Sequence, residues 1–199
     1  MKTFFDLLER HDLSPDATQR AAIEAELWSS YGVEGVVLVL DMSGFSRLTL
    51  KHGVVHYLSM VRRMQRAVQP IIEAHEGEVV KFEADNCFSR FPGVERGLAA
   101  AVAIQREFAR MEPERDDDRD IHVSIGLDYG RFLLIDRRDF YGSPVNLASK
   151  LGEDIAEPGE ILVTAAVADR LGETSTAQLS PVRYTISGID IEAWRADWR

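Results

Sequence analysis

A chain of 199 residues, 45% of them hydrophobic, is long enough to bury one ordinary core and carry an extension beside it. Its 23 Lys and Arg against 33 Asp and Glu leave a net charge of −10, which argues against a general binder of nucleic acid or of anionic membranes. The single Cys87 rules out an intramolecular disulfide, no apolar run nears the ~20 residues that cross a bilayer, and Asp6 comes too early for a signal peptide, so a cytoplasmic protein without membrane insertion is expected.

Residues 3 to 30 read as helical. Phe4, Phe5, Leu7 and Leu8 form a short apolar face, and Ser14-Pro15-Asp16 supplies a cap, with Pro15 where a first helical residue tolerates it. Ala21, Ala25 and Trp28, with Ile23 and Leu27 beside them, continue at helical spacing as far as Tyr31-Gly32. Residues 1–32 are therefore set apart as a helical extension, and 33–199 as the main domain. The apolar stripe of the extension needs a surface to cover, on its own domain or on a partner subunit.

The run Leu38-Val39-Leu40 ends in Asp41, and a small-residue turn, Met42-Ser43-Gly44-Phe45-Ser46, follows at once. This reads as a buried strand delivering a carboxylate to its open end. Such an acid can cap the next helix, or it can take a hard cation while the N–H groups of the turn take phosphate oxygens. Val54, Tyr57, Leu58, Val61, Met64, Val68, Ile71 and Ile72 then mark a long amphipathic helix bent by Pro70. His52 and His56 share its spacing, but no Glu follows in a zincin arrangement and a metal site there is not favoured.

Glu78–Phe82 and Cys87–Phe91 read as strands of a hairpin joined by Glu83-Ala84-Asp85-Asn86, which puts a second acid at a strand end. Val94 to Arg110 is helical, and the acid-rich run from Glu112 to Asp120 reads as a solvated loop. Ile121–Leu127 alternates as a strand, Asp128-Tyr129-Gly130 reads as a turn, and Arg131–Ile135 as the returning strand. Tyr141-Gly142-Ser143-Pro144 introduces a helix from Val145 to Ile155, and Ile161–Val163, a helix over 165–171 and two or three strands near 178–194 complete the chain. Interleaved helices and hairpins favour an α+β fold, a mixed sheet covered by helices.

As a set these positions resemble the catalytic domain of class III nucleotidyl cyclases, the adenylate and guanylate cyclase family, in its stand-alone bacterial form. The resemblance covers about residues 35 to 195. It is carried by Asp41-Met42-Ser43-Gly44-Phe45-Ser46, by Lys81-Phe82-Glu83-Ala84-Asp85 ahead of Phe91, by Asp139 through Gly142, Val145-Asn146, Ala148 and Lys150, and by Pro158-Gly159-Glu160-Ile161. It implies a ferredoxin-like (palm) sheet, mostly antiparallel, and two Mg²⁺ or Mn²⁺ ions held by Asp41, Asp85 and the carbonyl of Met42. It further implies phosphate donors from Met42, Ser43, Gly44 and Phe45, a base pocket of Lys81 and Asp139, and a ribose contact from Asn146.

The family's transition-state Arg is replaced by Lys150, which keeps the charge but loses the planar two-point contact. Ala84 replaces the family's Gly, so Asn86 is expected to take a left-handed conformation, and the family's late phosphate lysine has no clear counterpart around Ser187-Gly188-Ile189-Asp190. Asp139 also reads as part of a charged turn with Arg137 and Arg138. The implied reaction turns a nucleoside triphosphate, ATP by preference, into its 3′,5′-cyclic monophosphate and pyrophosphate at a homodimer interface. The alternatives are a pyrimidine (cUMP or cCMP) or guanylate cyclase in bacterial signalling or phage defence, and a catalytically weak, cyclase-like nucleotide-binding protein.

Overall fold

β1 (Gly32–Met42) is flanked on both edges and covered on both faces because six consecutive residues, Gly35 to Leu40, are buried. The computed structural model describes residues 3–111, 120–171, 177–186 and 189–199. In chain order α1 (Phe4–Leu13) and α2 (Ala17–Tyr31) precede β1; α3 (Phe45–His52) and α4 (Val54–Ala74) lead to the hairpin β2 (Glu78–Glu83) and β3 (Asn86–Phe91). Then come α5 (Val94–Met111), β4 (Val123–Ile135), β5 (Asp139–Tyr141), α6 (Ser143–Ser149) with a π-helical run Lys150–Ile155, β6 (Ile161–Val163), α7 (Ala165–Leu171), β7 (Leu179–Ile186) and β8 (Ile189–Ala196). The sheet order is β2-β3-β1-β4-β6-β8-β7, with β5 added to β4, and every pairing is antiparallel except β4 with β6.

Alternation along β1 divides the core. Val36, Leu38, Leu40 and Met42 meet α4 and α5, whose Tyr57, Met64, Val68, Ala101 and Ile104 are buried against them. Val37 and Val39 point the other way, to Phe88, Phe132, Phe140 and Ala148 of α6. Asp41 belongs to this second face by parity. α6 and the π-helical run lie hard against the sheet at two glycines: a Cβ on Gly126 would stand 2.2 Å from the Ala148 carbonyl oxygen, and one on Gly152 would stand 2.6 Å from that of Val39. Nothing larger fits at either point.

Several expectations are corrected. Asp128-Tyr129-Gly130 is not a turn: β4 runs unbroken for 13 residues because β1 pairs with it throughout, with Gly35 opposite Gly130 and Val37 opposite Asp128. The reversal comes later, where Asp136 and Arg137 take positive φ of 50° and 56° ahead of β5. Residues after Asp41 form a separate helix, α3, before α4. In the hairpin it is Ala84, not Asn86, that takes the left-handed conformation, at φ 51°, a strain of about 1–2 kcal/mol for a residue with a Cβ.

In the extension the cap expected at Ser14-Pro15-Asp16 is Asp16, which accepts from the Thr18 N–H, and Pro15 precedes α2 instead of opening it. Its buried stripe is Ile23 and Leu27, while Ala21 and Ala25 are exposed. With Phe4 and Leu7 these side chains cover Ile135 at the end of β4, so α1 and α2 pack on their own chain. Among the described residues no helix is long and apolar enough to cross a membrane.

Candidate active site

Two strand ends bring two acids together. Asp41 leaves the buried run of β1 on the α6 face, and Leu40 pairs with Cys87 of β3, so the β2–β3 turn carrying Asp85 lands beside it. Tyr57, buried on α4, ties this corner from below: its hydroxyl donates to Asp85 Oδ2 at 2.7 Å and lies 3.1 Å from the Met42 carbonyl oxygen. Burial pushes the Asp41 carboxyl up to about 7, and the charges of Asp85 and Glu153 add to the effect. Burial also raises Glu153, which the π-helical run brings toward these acids. Among the described residues, no group of three or more His, Cys, Asp and Glu side chains is arranged to hold a metal ion. The Asp41–Asp85 pair is thus a concentration of half-buried negative charge beside a carbonyl oxygen, a donor set suited to a hard divalent cation.

The turn after Asp41 is shaped by Gly44, which takes φ +100° and opens α3. The Ser43 N–H donates to the His122 carbonyl at 2.9 Å and is therefore already engaged. The Phe45 N–H, in the first turn of α3, lacks an intrahelical acceptor and faces the end of the helix where an anion is favoured. Met42 is buried as a side chain and offers only its backbone.

A second constellation lies on the same face of the sheet. Lys81 of β2 pairs with Asp139 Oδ1 at 3.1 Å and with Glu83 at 2.9 Å, its ammonium 5.1 Å from the Phe88 ring centroid. Glu83, with Asp139 in support, raises Lys81 above the ordinary lysine range against the effect of burial. Burial would raise Asp139, but the Tyr141 hydroxyl, Lys81 and the Phe140 N–H outweigh it and hold the carboxyl below its usual range. Asp139 opens β5 in a fixed ion pair, which a merely charged turn would not require.

Asn146 is exposed on α6. Lys150 follows at the start of the π-helical run and pairs with Asp154 at 2.8 Å. Outside this region, the rings of His52 and His56 lie tilted at 39° to one another with centroids 4.7 Å apart. Residues 112–119 of the acidic run lie outside the described residues, as do Ser187 and Gly188. Tyr57, Glu83, Tyr141 and Glu153 were not singled out from the sequence. The one signal for Tyr57 was a hydroxyl-bearing ring in an otherwise aliphatic stripe; the others act through contacts made only by folding.

The family described as "Adenylate and Guanylate cyclase catalytic domain" matches residues 33–190. Rv2212, an uncharacterized protein of Mycobacterium tuberculosis (strain ATCC 25618 / H37Rv), is 28% identical over 185 residues, 93% of this chain and 46% of that one. Among solved structures, an adenylate/guanylate cyclase/hydrolase from Silicibacter pomeroyi is 27% identical with a TM-score of 0.69, over 83% of this chain and 96% of that one. The catalytic core of a rhodopsin-guanylyl cyclase with converted specificity, in complex with ATPalphaS, shares the fold at 14% identity with a TM-score of 0.70, over 83% and 98% of the two chains. The chain spans less than half the length of the curated relatives it matches. The family match over residues 33–190 and the mixed sheet with its helices agree: this chain belongs to the adenylate and guanylate cyclase catalytic domain family.

Proposed function

We propose that the chain is a nucleotidyl cyclase that converts ATP to its 3′,5′-cyclic monophosphate and pyrophosphate in a symmetric homodimer, with residues 33–199 as the catalytic domain and 1–32 as a helical extension. The observation that carries the reading is the convergence of Asp41 and Asp85, where burial first, and the neighbouring Asp85 charge second, hold Asp41 near 7. Such a pair fits divalent cations, with Asp41, Asp85 and the Met42 carbonyl as the groups that would hold them. When bound, two Mg²⁺ or Mn²⁺ ions would supply Lewis acidity, easing loss of the ribose 3′-proton and neutralising the triphosphate.

The rest falls to side chains. The 3′-oxygen bonds to the α-phosphorus as the bond to the β-phosphate oxygen breaks; the 3′-proton passes to solvent and pyrophosphate departs. Asn146 holds the ribose, Lys150 stabilises charge on the α-phosphate, and the start of α3 receives the terminal phosphates. Lys81 donates to adenine N1 and Asp139 accepts from the N6 amino group. Lys150 must leave Asp154 to do its work, a contact that is solvent-exposed and weak. A homodimer is supported by an apolar surface beside the Asp41 end of β1, where Phe45, Leu50, Val54, Val55 and Leu58 are exposed, Leu50 by 90% and Val55 by 78%.

The test is incubation of the chain with Mn²⁺ and each of the four nucleoside triphosphates. Cyclic AMP and pyrophosphate in equal amounts, abolished by Asp41→Ala, are expected. A second reading rests on the Lys81–Asp139 pair, because cytosine presents the same edge as adenine, a ring nitrogen acceptor beside an amino donor. A product from CTP and none from ATP would replace the substrate while leaving the reaction in place. Nucleotide binding without any product would leave a binding protein.

A further inference from the structure

Resting on that reading of Lys81 and Asp139, we infer that Tyr141 sets base selectivity, by occupying the acceptor position on Asp139 that a guanine edge would need. Tyr141 stands two residues after Asp139 on β5, on the same side of the strand, and its hydroxyl donates to Asp139 Oδ2 at 2.7 Å. Oδ1 already accepts from Lys81 at 3.1 Å and from the Phe140 N–H at 3.0 Å. A carboxylate has about four acceptor positions, so with three taken a single one remains, on Oδ2. An ammonium has three donors, and Lys81 spends one on Glu83 and one on Asp139, leaving one.

Lys81 and Asp139 between them therefore offer one free donor beside one free acceptor. Adenine (N1 acceptor, N6 amino donor) and cytosine (N3 acceptor, N4 amino donor) each match that edge. Guanine presents an oxygen acceptor followed by two aligned donors, N1–H and the N2 amino group. While the Tyr141 hydroxyl stays in place, one of these finds no free position on the Asp139 carboxylate and meets at best the phenol oxygen. A polar group left unpaired on binding lowers affinity by about tenfold or more.

The tyrosine is 50% exposed and would be free to swing away but for α1. Its ring stacks on Phe4, with centroids 6.3 Å apart and planes within 4°. Phe4 is itself buried and held edge-on by Tyr31 of α2 at 5.2 Å. The helical extension thus braces a residue of the base pocket, and the edge of α1 becomes part of the selectivity.

The experiment is isothermal titration of the full chain with α,β-methylene-ATP and α,β-methylene-GTP in the presence of Mn²⁺, which reads binding without turnover. Tyr141→Phe keeps the ring and its stacking but frees Oδ2, and the guanine-to-adenine affinity ratio is expected to rise about tenfold. Phe4→Leu, which removes the stacking partner and leaves the hydroxyl, is expected to move the ratio the same way by a smaller factor. If Asp139→Ala leaves both affinities unchanged, the base-pocket reading fails and takes this inference with it. If Asp139→Ala weakens binding while Tyr141→Phe leaves the ratio where it was, the inference alone is overturned. An unmoved ratio in Phe4→Leu would overturn the bracing role of α1.

Discussion

Replacing Asp41 with Asn stabilises the metal-free protein above neutral pH. The Asp41 carboxyl titrates near 7 in the folded chain, because burial and the Asp85 and Glu153 charges oppose its ionisation, against 3.8 when unperturbed. The folded state therefore holds a proton that the unfolded state has lost between those values, and stability falls as pH rises from about 4 to about 7. The full displacement corresponds to ~4 kcal/mol, which solvent screening at this half-buried position reduces to about 1–2 kcal/mol. For a chain of this length that is about 2–8 °C in Tm. Thermal unfolding of wild type and Asp41→Asn, followed by circular dichroism at pH 5 and pH 8 with chelator, reads the effect. The gap between the two proteins is smaller at pH 5 than at pH 8, where the variant melts higher by the full amount. Adding Mn²⁺ at pH 8 raises wild type and leaves Asp41→Asn unmoved, since mass action acts only where the ion binds the folded form. A variant less stable than wild type at pH 8 with chelator, or equally raised by Mn²⁺, would refute the reasoning.

Two further outcomes follow from the same geometry. Lys150→Ala lowers kcat about 100-fold with a much smaller change in KM, as steady-state cyclisation kinetics would read, because the lost charge acts on the α-phosphate in the transition state. Val55→Asp puts a charge into the exposed apolar surface of α3 and α4, shifts the chain to monomer in sedimentation and removes turnover while leaving the melting profile of the monomer cooperative.

The acid at the end of β1 and the acid in the β2–β3 turn were legible because each closes a short apolar run, and a strand end is where a buried segment can release a charge. The chain order of helices and strands was legible for the same reason, through its changes of period. The continuity of β4 was not, because Asp128, Tyr129 and Gly130 are turn-forming residues and only the pairing with β1 overrides them. Asp128 is tolerated there because the Thr164 hydroxyl donates to it, a contact spanning 36 positions that no local pattern contains. The same limit hid Tyr57, whose ring reads as one more apolar contact of α4 until its hydroxyl is seen to reach Asp85. It hid Tyr141 and Phe4 as well, which are far apart in the chain and adjacent only once α1 has folded onto β4 and β5. Ala84 shows the reverse case: the departure from glycine was plain in the sequence, but which residue absorbs the turn was decided by the two-residue hairpin itself.

In the proposed homodimer we infer that each site is shared, the acids of one copy acting on a nucleotide held by Asn146 of the other, and mixing two inactive variants tests the proposed cyclase most directly. Asp41→Ala lacks the acid pair and Asn146→Ala lacks the ribose contact, so each is expected to be inactive alone with ATP and Mn²⁺. Co-refolded in equal amounts, random pairing gives half heterodimers, each with one intact site, and roughly a quarter of wild-type cyclic AMP formation returns. A mixture as inactive as its components, beside an active wild type, would contradict the account.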